Sequence, residues 1–149
     1  MKLSPRIAYF YVSTPEILHP EIQTLPPDRA TLCIESDTFP REVPMVLNIA
    51  IVNLEKGTPY SFHIKMLLDG REISIGSTEA TQVRFKSYES SEGNFALRHS
   101  FFEKYMLDEP GCYTFIVRLY DEYLSSPPTD SDKFSHQMEC SIAVAREWR

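Results

Sequence analysis

Cysteine, glycine and long apolar runs are scarce in this sequence. Its 149 residues include three cysteines and five glycines, and no window approaches the roughly 18 apolar residues of a membrane-spanning helix. The N-terminal residues lack the apolar core of a secretory signal. The cysteines, Cys33, Cys112 and Cys140, are odd in number and have no Cys-x-x-Cys spacing, which fits reduced thiols better than a disulfide framework. We therefore expect a cytoplasmic protein with no membrane partner.

Positive charge and catalytic motifs are also in short supply. Fifteen Lys and Arg residues stand against 21 Asp and Glu residues, which gives a formal net charge of −6. A nucleic acid would have to bind against this repulsive field, so we expect no nucleic-acid partner. The sequence has no glycine-rich phosphate loop, no Gly-x-Ser-x-Gly elbow and no His-Glu-x-x-His motif. We accordingly predict no enzymatic activity and no cofactor.

Aromatic residues and prolines are abundant, with eight Tyr, nine Phe and 11 Pro. Aromatic residues favour strands, whereas proline marks strand ends. Period-2 alternation predicts strands over 7–13, 31–36, 44–54, 60–68, 71–75, 81–87, 94–103, 113–119 and 134–145. The 44–54 run is apolar on both faces, as in a central strand covered on two sides, and Asp69-Gly70 is a strong hairpin signal.

Eight or nine short strands joined by turn residues predict an all-β, antiparallel sandwich, because a parallel sheet would need crossover helices. The length fits one domain over 1–149. Within it we distinguish an N-terminal strand and proline-rich loop (1–30), a sandwich core (31–145) and a short tail (146–149).

A turn at Pro110-Gly111 runs directly into the alternating strand that begins near Tyr113. This position resembles that of the corner tyrosine in immunoglobulin-like sandwiches. The order of elements over 31–145 resembles the immunoglobulin-like and fibronectin type III group. Phe115 stands where an antibody-type domain has its second cysteine, so the resemblance does not extend to that subclass. The sequence is also similar in style to uncharacterised bacterial or prophage-encoded sandwich proteins, which implies no activity.

The 121–133 loop is the longest connection between neighbouring strands of the predicted core. Long loops at the end of a sandwich commonly carry binding residues, and two adjacent prolines stiffen this one, which lowers the entropy lost on docking. We predict a non-catalytic module that binds a protein partner through this loop, the 14–30 segment, or both; a homodimer formed through sheet edges or outer faces is also expected. The predicted contact residues are Tyr123, Leu124, Pro127, Pro128, Asp130 and Asp132.

Three alternatives involve small ligands. His136 and Cys140 share a strand face and could bind a metal with His99 as a third ligand, although buried core residues are the more common reading of such a pair. Asp130 and Asp132 could offer carboxylates to calcium, but the loop lacks the glycine and distal glutamate of an EF-hand. Exposed aromatic residues could instead bind carbohydrate. The aromatic candidates are Tyr88, Phe102 and Tyr105.

One basic cluster lies on a predicted strand, where Arg84 and Lys86 share a face with Tyr88. Such a cluster could hold an anion or a short acidic segment of a partner. Charges on an edge strand also block sheet-to-sheet aggregation, and this second role is the more common one.

Overall fold

The computed structural model describes residues 3–14, 30–73 and 81–149, and these residues form strands but no helix. Each predicted strand segment overlaps one of the observed strands, although several strands, β3 and β7 among them, are longer than predicted. The predicted proline-rich 14–30 segment lies outside the described residues except for its two ends. The strands are β1 (Arg6–Ser13), β2 (Cys33–Glu35), β3 (Arg41–Glu55), β4 (Ser61–Leu68), β5 (Arg71–Ile73), β6 (Thr81–Glu89), β7 (Asn94–Leu107), β8 (Gly111–Tyr120) and β9 (His136–Ala145).

The strands form two sheets that pack against each other. One has four strands in the order β1-β3-β7-β6, and the other has five in the order β2-β9-β8-β4-β5. Alternate residues of the central strands point between the sheets, among them Leu47 and Ile49 of β3 and Phe115 and Val117 of β8, all fully buried. Burial of apolar surface of this kind is the main favourable term in folding. The prediction of an all-β fold in sandwiched sheets is confirmed.

One strand pair departs from the predicted antiparallel arrangement. β2 pairs with β9 in parallel, with Cys33 opposite Ala143 and Glu35 opposite Ala145. A tight hairpin imposes antiparallel pairing on the two strands that it joins. β2 and β9 are separated by most of the chain, so no hairpin fixes their relative direction. The spacing of the strands along the sequence therefore does not predict that this pair is parallel.

β3 is buried on both faces, as predicted for 44–54. Its outward face carries Asn48, whose Nδ2 donates to Ser13 Oγ at 3.0 Å and to Tyr11 O at 3.4 Å. Ser100 Oγ in turn donates to Asn48 Oδ1 at 2.7 Å. These bonds tie β3 to β1 on one side and to β7 on the other. They also satisfy a buried amide that would otherwise be costly to desolvate.

The turns at one end of the five-stranded sheet fix the start of β8. Asp69 and Gly70 both have positive φ, 49° and 82°, as a two-residue hairpin between β4 and β5 requires. The Asp69 carboxylate accepts a hydrogen bond from Cys112 N at 2.9 Å. Gly111 has a φ of 156°, and a Cβ there would lie 2.7 Å from Leu68 Cδ1. The positive φ favours glycine here, and any other residue would also have to displace the ends of the Leu68 and Asp69 side chains.

The side chain of Tyr113 closes this corner from inside. It is fully buried, its hydroxyl donates to Glu109 O at 2.7 Å, and it accepts from Glu109 N at 3.3 Å. Burial raises the pKa of Tyr113, so the phenol stays protonated and able to donate.

Removing the Tyr113 hydroxyl should destabilise the fold. In Tyr113→Phe the backbone of Glu109 loses both partners, and we expect the free energy of unfolding to fall by about 1–2 kcal/mol. Tyr120→Phe is the matched control, because Tyr120 is buried on the same strand and its hydroxyl has no hydrogen bond within the described part of the chain. The control should change stability by less than about 0.5 kcal/mol in urea unfolding. Equal losses in both variants would contradict a specific role for the corner bond.

Candidate functional site

The 121–133 loop leaves β8 and returns to β9 with its ends tied to the sheet. Ser135 N donates to Leu119 O at 2.7 Å, and Ser61 Oγ donates to Glu122 O. Farther along, Asp132 stabilises a turn by accepting from Thr129 N at 2.7 Å. A side-chain carboxylate bonded to a nearby backbone N–H is a common device for ordering a turn.

Asp130 connects the middle of this loop to the outer face of the five-stranded sheet. Its Oδ1 lies 3.5 Å from Lys65 Nζ on β4 and 3.5 Å from Arg118 Nη1 on β8. The two cationic side chains are 20% exposed, whereas Asp130 is 87% exposed. An exposed ion pair contributes at most about 1 kcal/mol. Two pairs that share one carboxylate nevertheless position the loop over these two strands.

A pocket of about 310 Å³ lies beneath the loop. His63, Lys65 and Arg118 line it together with Glu72 and Asp130, so charges of both signs meet there. Partial burial lowers the pKa of His63, and the nearby Lys65 and Arg118 lower it further against the opposing effect of Glu72. At neutral pH the imidazole is therefore uncharged, and it offers one donor and one acceptor.

Two aromatic side chains, one in the loop and one just after it, face solvent. Tyr123 is 78% exposed and Phe134 is 42% exposed. The Arg118 guanidinium lies over the Phe134 ring at 4.7 Å from its centroid and donates through Nε to Gln137 Oε1 at 2.8 Å. We call the surface formed by Lys65, Arg118, Tyr123, Asp130 and Phe134 the loop face. Of the other predicted contact residues, Leu124 and Pro128 are half-buried and Pro127 is exposed.

The structure does not bring the three predicted metal ligands together. His136 accepts a hydrogen bond from Ile7 N at 3.0 Å on the β1 side of the fold, whereas His99 lies among phenylalanine rings on the β6 side. Burial raises the pKa of the Cys140 thiol to about 12, which disfavours the thiolate that a metal binds. No group of three or more His, Cys, Asp or Glu side chains among the described residues could hold a metal ion.

An apolar cleft at His99 was missed by sequence reasoning. It has a volume of about 290 Å³ and opens between β6 and β4. The alternation of residues in the 81–87 segment directs Phe85 inward, and Phe85 does lie opposite His99, yet it is 51% exposed. His99 Nε2 is buried and has no hydrogen-bond partner among the described residues.

The predicted carbohydrate platform is wrong at Tyr105. This residue is buried, and its hydroxyl donates to Glu103 Oε2 at 2.7 Å. β7 continues to Leu107, beyond the end predicted for this strand, so the alternation carries Tyr105 into the core. Phe102 and Tyr88 remain on the outer face of the four-stranded sheet, but Tyr88 pairs with Ala96, six residues from Phe102 along β7. That separation is about 20 Å, too far for one stacked sugar.

Comparison with known proteins assigns no family to this chain. No protein-family model matches it, and no curated protein matches it. Within the described ranges, no helix is long and apolar enough to cross a membrane.

Stability should decrease in mildly acidic solution. Burial lowers the folded-state pKa of both His63 and His99, so below an unfolded-state pKa of about 6.5 the unfolded chain binds more protons than the folded chain. The stabilisation is fully present above that pH and is lost as the pH falls towards the folded-state values. Between about pH 7.5 and about pH 5, we expect the free energy of unfolding of His99→Phe, measured in urea, to fall less than that of the wild type. If the variant and the wild type lose stability equally, His99 makes no contribution.

Proposed function

We propose that the protein is an immunoglobulin-like sandwich that acts as a non-catalytic protein-interaction module and binds its partner through the loop face. The strand order supports this fold assignment. Taken in chain order, β1-β3-β7-β6 corresponds to the ABED sheet of such domains, and β9-β8-β4 corresponds to GFC, with β5 added as in variable-type domains. The corner bond of Tyr113 to Glu109 O supports the same assignment.

The observation that carries the functional proposal is a loop that is ordered while it presents exposed aromatic surface. Asp130 holds the loop to Lys65 and Arg118. Phe134 lies against the Arg118 guanidinium, and Tyr123 of the same loop has much of its surface in solvent. A loop that is already ordered loses little entropy on docking. Tyrosine and arginine are also the residue types that dominate binding energy at protein interfaces.

The free thiols support a reducing compartment, which we propose to be the cytoplasm. Cys33 and Cys112 are exposed, Cys140 is half-buried, and all three are unpaired. Exposed unpaired thiols are typical of proteins that work under reducing conditions.

Substitution of Tyr123 should weaken binding of the partner. We expect tagged wild-type protein to capture one specific protein from lysate of the native cell, and Tyr123→Ser to reduce capture by about tenfold or more, since an interface tyrosine of this kind contributes about 2 kcal/mol. Met106→Ser is the matched control, because Met106 is an exposed apolar residue on the four-stranded sheet.

Three results bear on the proposal. Capture by the wild type and Met106→Ser but not by Tyr123→Ser supports it. Equal capture by all three proteins would place the interface elsewhere. Absence of any specific partner, with light scattering showing a monomer, would contradict both an interaction module and the homodimer.

A further inference from the structure

We propose that the outer face of the four-stranded sheet carries a binding site for an oxyanion, a carboxylate or a phosphate, attached to a flat or apolar group. Four side-chain positions define it. Lys86 and Tyr88 lie on β6, and Arg98 and Ala96 lie directly opposite them on β7. We call this group of four the basic face. It belongs to the other sheet from the loop face and is independent of the function proposed above.

Two cations stand directly opposite each other on neighbouring strands. Lys86 pairs in register with Arg98, and directly opposed side chains of an antiparallel pair are about 5 Å apart at Cβ. No carboxylate of the described residues forms an ion pair with either of them. Glu89, the acid nearest along β6, is paired with Lys56 at 3.1 Å. Like charges in this arrangement destabilise a sheet, and a bound anion would reverse the sign of that interaction.

Arg98 has an unused hydrogen-bond donor. Its Nε is buried and has no partner among the described residues. A buried donor without an acceptor destabilises the fold. A carboxylate or phosphate commonly accepts two parallel bonds from a guanidinium. A small rotation of the side chain that brings Nε and one Nη to an oxyanion would satisfy this donor.

Protection of a sheet edge accounts for Lys86 but not for Arg98. β6 is an edge strand of the four-stranded sheet, and a lysine there hinders pairing with another chain. β7 lies inside the sheet, between β3 and β6, and has no free edge to protect. The opposition of the two cations therefore calls for a second explanation, which an anion supplies.

The surroundings of the two cations fit the rest of such a ligand. A shallow depression of about 320 Å³ is lined by Tyr88, Ala96 and Val52, and also by Glu89, the acid paired with Lys56. Lys86 and Arg98 do not line it, but each lies two residues along its strand from a residue that does. The Tyr88 ring is 49% exposed, and Lys86 Nζ lies 5.1 Å from its centroid. Alternate residues of a strand are about 7 Å apart on one face. A planar acid of the size of benzoate or phenyl phosphate can thus reach both the cations and the tyrosine ring.

Binding of these two probes to the intact chain tests the proposal. We expect titration with phenyl phosphate or benzoate, followed by backbone amide NMR, to show saturable shifts at 86–88 and 96–98. Lys86→Gln and Arg98→Gln should each weaken binding by about tenfold or more, because a hydrogen bond to a charged group contributes about 1.5–3 kcal/mol. The tighter of the two probes identifies the preferred oxyanion.

Arg71→Gln is the control, because Arg71 is an exposed arginine on the other sheet, paired with Glu109 at 3.0 Å. The affinity of this variant for the probes should stay within about twofold of the wild-type affinity. Lys86 is exposed on an edge strand, so Lys86→Gln keeps the test valid if Arg98→Gln fails to fold. Absence of saturable binding of both probes up to about 10 mM would overturn the proposal. Equal affinity of Lys86→Gln and the wild type would also overturn it.

Discussion

The double-sided burial of β3 is the constraint on which the rest of the fold depends. Its inward face fills the core with residues such as Met45 and Leu47, while its outward face buries Val46 and Asn48. β3 also has a neighbouring strand along each edge, β1 on one and β7 on the other. The Asn48 amide forms hydrogen bonds with residues of both neighbours. A shift in the register of either neighbour would break these hydrogen bonds and leave the buried amide without a partner, which is energetically costly.

The register that follows from this pairing determines what the two outer surfaces present. On the four-stranded sheet, Arg98 of β7 is opposite Ala50 of β3 on one side and opposite Lys86 of β6 on the other, so two cations face each other. On the five-stranded sheet, the cations Lys65 and Arg118 are both paired with Asp130. This difference in charge pairing is the basis of the two proposals, an anion site on the first surface and a protein interface on the second.

Period-2 alternation predicts the strands well, because a strand with one buried face has an apolar residue at every second position. The alternation does not indicate which strands pair with each other. His136 and Cys140 share a strand face as predicted, yet His99 lies in the opposite sheet and on the other flank. The contact of Asp130 with Lys65 joins residues far apart in sequence, and the opposition of Lys86 to Arg98 depends on the register that the turn between β6 and β7 sets. The alternation of apolar residues determines neither of them.

The order of the 121–133 loop is the physical premise of the proposed interaction module, and it can be measured without knowing the partner. Backbone ¹⁵N relaxation of the free protein gives an order parameter for each amide. If Asp130 and the turn at Thr129 hold the loop as described, order parameters there should approach the value of about 0.85 that is typical of rigid backbone. Values below about 0.6 across the loop would show a mobile segment and would contradict a preorganised binding surface.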